Sequence, residues 1–382
     1  MKPRFVAKAE WDKLENVLVH VPDVEIYYGL LHSKANLYQG PFSRKGAVSE
    51  AKNYHDVLRK EGVNVITLED ALRSNMNKTL KAAYETLDFY SMSERGYNHK
   101  AKDLEALDPE DVIRILYLQP TVIVEKSDNV NSNHRVKKYE VEPLTNLVYL
   151  RDQQITTDKG IVIGSLSTYQ RSKEEAITKL AFECLGVEPV YEVAASWNDE
   201  STTNSNAFEG GDFIPAGDFA LIGNGIRSTR SATEQILKAN ALGFEEIGGV
   251  HGWPSNMDSM HLDTWFNIAG QGLAVAREDF LKIAKVDLYK RNETGYVKAE
   301  TLPFYDYLVK NKQFNYIALD KQEQENFGTN FLTLKDKKII AVNSNPAYAR
   351  KLQKSVDAII LDFNNFTKMY GGPHCGSCAG RA

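Results

Sequence analysis

Cysteine is scarce in this chain. Three occur in 382 residues, Cys184, Cys375 and Cys378, too few for the disulfide framework that braces small secreted domains. Long apolar runs are missing too. No segment approaches the ~18 consecutive apolar residues of a membrane helix, and the opening MKPRFVAKAEWDK has no apolar core of the kind a signal peptide carries. Nor is there an excess of positive charge. The 46 Lys and Arg against 51 Asp and Glu give a net charge of −5, which excludes the basic footprint of a nucleic-acid-binding domain. The cationic runs Lys100 to Lys102 and Lys335 to Lys338 are short and interleaved with or followed by acids, and read as solvated surface. These absences imply free thiols in a reducing cytoplasm, with no membrane or nucleic-acid partner.

What is present is an ordinary globular composition, 42% hydrophobic and 25% charged, long enough for one large domain or two smaller ones with ample core. Leu14 to Val21 reads as a strand. Val48 to Glu61, with Val48, Ala51, Tyr54 and Leu58 at helical spacing and Gly62 as its stop, reads as a helix, followed by a strand over Val63 to Thr67. From Asn75 to Val141 the texture turns helical. NKTLKAAYETLDFY and DPEDVIRILYLQ predict helices, the first without an obvious cap, the second opened by Asp108-Pro109 and the acids that follow. Asp128 to Lys138 is polar and Asn-rich and reads as a loop. After Pro143 a strand, strand, helix, strand pattern recurs. It comprises Ile161 to Leu166, the helix Lys173 to Leu185 stopped by Gly186, and Pro189 to Val193. It returns as Phe219 to Ile222 with Ser231 to Leu242, and as Leu273 to Ala276, Asp279 to Ala284 and Tyr316 to Ala318. A last unit has a hairpin over Phe331 to Val342, a helix over Pro346 to Val356 and a strand over Ala358 to Leu361. Such repetition favours an α/β fold.

Four segments carry chemistry. In Asn146 to Asp152 (NLVYLRD) an apolar strand runs into an Arg-Asp pair, which alone suits a surface ion pair as well as a site. In Asn206 to Asp212 (NAFEGGD) two glycines let the backbone turn sharply and bring Glu209 and Asp212 together. That pattern is also met in plain turns and in sites for hard cations, although no further ligand set accompanies it. In Met260 to Ile268 (MHLDTWFNI) a strand would place His261 and Asp263 on one face, an acid/base group beside a carboxylate. The lack of clustered histidines counts against zinc. The tail, Gly371 to Cys378 (GGPHCGSC), brackets Cys375 with glycines and reads as a nucleophile loop, a redox Cys-x-x-Cys pair or a disordered end. Taken together, three acids, a histidine and a cysteine fit a flat delocalised cation. Carboxylates grip a guanidinium through paired hydrogen bonds, place its carbon near a thiolate, and the cation in turn favours the ionised sulfur.

The order Arg-Asp, Phe-Glu-Gly-Gly-Asp, His-Leu-Asp-Thr and a Gly-rich His-Cys tail resembles the guanidino-group-modifying superfamily, and within it the arginine deiminases. AEWDKLENVLVHVP resembles that family's first strand, and LDPEDVIRILYLQP its distinguishing insert. The resemblance implies a five-bladed α/β propeller of ββαβ units (the pentein fold), with residues 1–74 and 143–382 forming the catalytic propeller and 75–142 a helical insertion. It implies no cofactor and no metal, a small guanidino substrate such as arginine, and a homo-oligomer. It assigns Cys375 as nucleophile, His261 as acid and then base, Asp152 and Asp263 to the guanidinium, and Glu209 to His261 and substrate. Tyr149 would lie beside the substrate, where the family has phenylalanine. Arg171 and Arg227 would meet its carboxylate, and Asp212 would complete the substrate contacts. Two positions depart from the pattern. Tyr370 stands where the family has an arginine for the carboxylate, with Lys368 and Arg381 as possible substitutes, and Gly376 stands where it has methionine. Cys378 matches a cysteine of some members and is not expected to be a second nucleophile. An amidinotransferase, a hydrolase of another guanidine and a silent guanidine-binding protein are the competing readings.

Overall fold

Leu14–Val19 is buried at every position but Glu15, so it needs a partner on both edges and cover on both faces. Its parallel neighbour, Asn64–Thr67, is reached through the helix Arg44–Lys60. That helix begins earlier than the apolar spacing predicts because the Ser43 hydroxyl accepts from the Gly46 N–H and caps it. It buries Ala47, Ala51, Tyr54, His55 and Leu58 and ends at Gly62, whose φ of 82° is glycine territory. The antiparallel neighbour is Cys378–Arg381, from the far end of the chain. The computed structural model describes residues 3–91, 100–129, 132–197, 203–343 and 346–382.

One arrangement occurs five times among the described residues: a middle strand antiparallel to one neighbour and leading onward through a helix to a parallel one. Ile161–Ile163 lies between Gln154–Thr156 and Tyr191–Glu192. Phe219–Gly223 lies between Phe213–Ala216 and Glu246–His251. Leu273–Arg277 lies between Phe266–Gly270 and Asn315–Leu319. Lys338–Val342 lies between Leu332–Lys335 and Asp357–Leu361. The parallel partner is reached each time through a helix (Glu174–Cys184, Arg230–Lys238, Glu278–Ile283 and Pro346–Gln353), as parallel pairing requires. The recurring strand, strand, helix, strand unit is thus present. In the unit built on Leu14–Val19 the antiparallel strand is the chain's own tail.

Three local expectations are corrected. Between Glu278–Ile283 and Asn315–Leu319 a hairpin, Lys285–Asn292 with Gly295–Pro303, joins the edge of Glu246–His251 and extends that sheet to five strands. Its outer strand is largely exposed and therefore carries little apolar alternation. The region from 75 to 142 holds helices at Met76–Thr86, Lys100–Glu105 and Pro109–Leu118, but also a sheet of Asp88–Ser91, Pro120–Asn129 and Ser132–Val141. The supposed loop over Asp128 to Lys138 is therefore largely strand, with 130–131 outside the described residues. The helix Met76–Thr86 does have a cap, the Asn75 side chain accepting from the Lys78 N–H.

Candidate active site

The tail is ordered, and glycine is what lets it fold inward. Tyr370 adopts a left-handed φ of 78°, and a Cβ on Gly371 would lie 2.3 Å from the Tyr149 ring, so no other residue fits there. The Tyr54 hydroxyl donates to the Pro373 carbonyl at 3.0 Å, the Arg151 N–H to the Cys375 carbonyl at 3.2 Å, and the Gly376 N–H to the Gly372 carbonyl at 2.9 Å. A Cβ on Gly376 would meet the Gly372 oxygen at 3.3 Å, so the methionine of the family pattern has little room in this backbone. All three cysteines are free. Cys378 sits in its strand against Thr156, where burial pushes its thiol up to about 12, and Cys375 faces a cleft. The tail is thus a buried, hydrogen-bonded loop rather than a disordered end, and its two cysteines are not bonded to each other.

Asn146 to Asp152 forms consecutive turns rather than the expected strand, and buries Arg151 and Asp152. One Asp152 oxygen, Oδ2, accepts from Arg171 Nη1 at 2.9 Å, while Oδ1 has no hydrogen-bond partner and lies 4.0 Å from His261 Nδ1. His261 and Asp263 are likewise not on a strand. His261 precedes the one-turn 3₁₀ helix Leu262–Thr264. Asp263 Oδ2 pairs with His374 Nδ1 at 2.7 Å and lies 3.8 Å from Cys375 Sγ, while its Oδ1 has no partner. A buried carboxylate oxygen without a donor is costly. Two such oxygens stand on the carboxylates that meet His261 and Cys375, and the N–H groups of a cation would satisfy them.

Glu209 opens the Gly-Gly turn as expected. A Cβ on Gly210 would fall 1.9 Å from the Arg151 carbonyl oxygen, and one on Gly211 would fall 2.7 Å from His261 Nδ1, so both glycines serve close approach. Glu209 Oε2 lies 2.7 Å from His261 Nε2, and Oε1 accepts from the Ser167 N–H at 2.8 Å. Burial alone would raise the Glu209 carboxyl, but Arg227, His261 and Arg171 outweigh it and hold it well below its usual range. Burial alone would lower His261, and the carboxylates around it, Asp152 foremost, instead lift it to about 9. Burial, then Asp263 and Asp152, push the Cys375 thiol well above its ordinary value. The free site therefore holds a thiol, not a thiolate, beside a protonated histidine.

An open cleft of about 400 Å³ is lined by Tyr149, Asp152, Arg171, Arg227, His261, Tyr370 and Cys375, among others. An adjoining hollow shares Tyr370 with it and carries Asp258 and Glu325. Arg171 is buried and tied to Glu174 as well as Asp152, and Arg227 donates to Ser167. Asp212 is a correction. It is not among the residues lining the cleft, and its Oδ1 accepts from the Leu262 N–H at 2.8 Å, which anchors the turn that carries His261 and Asp263. Burial raises its carboxyl to about 7. Arg381 is corrected as well. It is fully buried and bound to Glu10 and to the Asp12 and Thr333 carbonyls, so it cannot replace the missing arginine. Sequence reasoning missed three residues, Glu10, Asn330 and the side-chain role of His374, because none stands in a recognisable spacing.

Asp152, Glu209 and His261 place one possible ligand atom each within 4.8 Å of one another, the one such group among the described residues. Arg171, 2.9 Å from Asp152 and 3.9 Å from Glu209, already brings a positive charge to that trio.

Scaffold and site together define an α/β enzyme with a cysteine set in a cleft that also holds Asp152, His261, Arg171 and Arg227. The family model "Arginine deiminase" matches residues 35–380, and the chain belongs to the arginine deiminase family. An arginine deiminase of Halobacterium salinarum is 25% identical, over 97% of this chain and 95% of that protein, and one of Mycobacterium tuberculosis is 24% identical over 97% of each. Among solved structures, a DDAH from Pseudomonas aeruginosa complexed with citrulline superposes with a TM-score of 0.56 at 13% identity, covering 96% of this chain and 99% of that one. The N-terminal domain of ArgZ, covalently bound to a reaction intermediate, gives 0.57 at 15% identity, covering 95% and 97%. These structures are likenesses of fold.

Proposed function

We propose that this protein hydrolyses the guanidinium group of L-arginine to citrulline and ammonia through a covalent intermediate on Cys375. The observation that carries this is the pair of buried, donor-less oxygens: Asp152 Oδ1, 4.0 Å from His261 Nδ1, and Asp263 Oδ1, on the carboxylate whose other oxygen lies 3.8 Å from the Cys375 sulfur. A guanidinium offers N–H groups to both carboxylates and offsets the negative charge that keeps the thiol protonated, so on substrate arrival the thiol gives its proton to solvent and becomes the thiolate. The thiolate attacks the guanidinium carbon and His261 donates its proton to the departing ammonia. The product is a thiouronium adduct. Neutral His261 then takes a proton from water as the oxygen attacks that carbon, the C–S bond breaks, and the thiolate leaves a ureido group.

In this scheme Glu209 holds His261 and reaches toward substrate, Tyr149 packs beside it, and Arg171 and Arg227 receive its carboxylate. Tyr370 supplies a hydroxyl in place of a charge, and Asp212 positions the 261–263 turn. The five repeated units form a five-bladed propeller closed by the tail strand, with 75–142 as an insertion that combines helices and a sheet. No helix among the described residues is long and apolar enough to cross a membrane. Free cysteines throughout suit a reducing cytoplasm, and a homo-oligomer completes the proposal.

The test is incubation of purified protein with arginine and no amine acceptor, followed by a citrulline assay. Stoichiometric citrulline and ammonia are expected. Product only when an amine is added moves the assignment to amidino transfer, and turnover of another guanidine but not arginine moves it to a related hydrolase.

A further inference from the structure

Asn330 carries no assigned role, yet its side chain touches the reacting atom. It precedes the strand Leu332–Lys335 and is buried at 2% exposure. Its Nδ2 lies 2.8 Å from Cys375 Sγ as donor. Its Oδ1 accepts from the N–H groups of Gly372, at 3.0 Å, and Cys375, at 3.3 Å. The amide orientation follows from this. The two backbone donors demand an oxygen on their side, so the NH₂ must face the sulfur.

The segment around it is held from the opposite wall. Thr329 Oγ1 donates to the Asp263 carbonyl at 2.8 Å, and Asn267 Nδ2 donates to the carbonyls of Thr329 and Phe331 at 2.8 and 3.0 Å. One short stretch thus fixes the loop bearing Cys375 relative to the turn bearing Asp263. Its location also matters electrostatically. The charged groups that act on the sulfur are acids: burial, Asp263 and Asp152 disfavour the thiolate, whereas Asn330 and the Gly372 backbone oppose them. A neutral N–H donor stabilises a thiolate without adding a cation that would compete with a guanidinium for the same carboxylates.

Given a Cys375-dependent guanidine hydrolase, we propose that Asn330 is a further catalytic residue, whose side-chain amide both clamps the nucleophile loop and donates a hydrogen bond to the Cys375 sulfur as it becomes a thiolate. The two parts separate in Asn330→Asp, which keeps an acceptor for Gly372 and Cys375 but removes the donor. A hydrogen bond to a charged group corresponds to about one pH unit or more in the acidity of the sulfur.

The experiment measures alkylation of Cys375 by iodoacetamide in the intact protein across pH, with a Cys375→Ala protein as the blank for the other cysteines, alongside arginine kinetics. N330D is expected to be alkylated about tenfold more slowly or worse at a fixed pH below its plateau, with kcat down by a similar factor and KM changed much less. A folded N330D with the parental alkylation profile overturns the proposal. Should N330D fail to fold, Asn330→Ser, which withdraws the donor from the sulfur without adding charge, is judged by the same criterion. Because alkylation needs no turnover, a parent protein inactive on arginine would sink the proposed reaction while leaving the role of Asn330 separately measurable.

Discussion

Two buried charge clusters lie on either side of the tail loop, and they are built on opposite principles. On the cleft side, Asp152, Glu209 and Asp263 surround His261 and Cys375, and two carboxylate oxygens have no donor. Behind the loop, Glu10 receives Arg381 and lies 3.5 Å from Arg151 Nη1, and Arg381 and Arg151 spend further donors on the Asp12, Thr333 and His374 carbonyls. His374 joins the two clusters, 2.7 Å from Asp263 on one side and 3.7 Å from Glu10 on the other. The rear cluster satisfies its carboxylate, whose pKa is held well below the usual range, against burial, by Arg381 first. The front cluster leaves acceptors open. Unmet acceptors are a stability cost that a cationic ligand can recover, whereas the groups left open in the rear cluster are donors, Arg151 Nη2, Arg381 Nε and His374 Nε2.

Removing the nucleophile is the strongest way to break this comparison. Cys375→Ser should reduce citrulline production about 10⁴-fold or more in a steady-state assay, whereas Cys378→Ala, three residues away, should leave kcat near parental. Next comes the rear cluster. Arg381→Met strands Glu10 as an unpaired buried charge and should cost about 3–5 kcal/mol of unfolding free energy in urea titration, with KM for arginine little changed in the protein that remains folded.

The front cluster predicts a change of opposite signs. Asp263→Asn removes a negative charge 3.8 Å from Cys375 Sγ, so the thiol becomes more acidic and alkylation at fixed pH should speed up about tenfold. Arginine turnover should nonetheless fall, because a guanidinium loses a carboxylate. In the parent the thiol lies well above 9, so the thiolate fraction and the alkylation rate should keep climbing as pH rises past 9, and a plateau at neutral pH would contradict the acid-rich setting. The smallest expected effect is at the rim. Tyr370→Arg adds a cation between the cleft and the hollow that holds Asp258 and Glu325, and should lower KM for arginine by a few-fold to about tenfold with little change in kcat.

The residues that the structure gathers around Cys375 were legible in the chain because they arrive in short, distinctive clusters: Arg-Asp, Glu-Gly-Gly-Asp, His-x-Asp and Gly-Gly-Pro-His-Cys. The repeated strand, strand, helix, strand order was legible because most of its helices follow an apolar spacing and end beside a glycine or polar residue, although Glu278–Ile283 ends on Ala284. Less legible was the local geometry of two of those clusters. Asn146 to Asp152 alternates too little to be told from a strand, and its own turn hydrogen bonds, Tyr149 N–H to the Asn146 carbonyl and Asp152 N–H to the Tyr149 carbonyl, hold it in turns together with those to the tail. His261 and Asp263 share a face in a strand, but the Asp212 carboxylate capturing the Leu262 N–H bends them into a 3₁₀ turn.

By itself, then, the order of residues determined the residue types of the site, the free thiols, the repeating unit and the family. Tertiary structure alone decided that the last strand pairs with the first, that Arg381 is spent on Glu10 rather than on a ligand, and that Asn330 meets the sulfur. The reason is physical. Helix and strand periodicities are local properties of the chain, but a hydrogen bond between residues 45 positions apart, or an ion pair between residues 371 apart, has no local signature and exists only once packing has closed the distance.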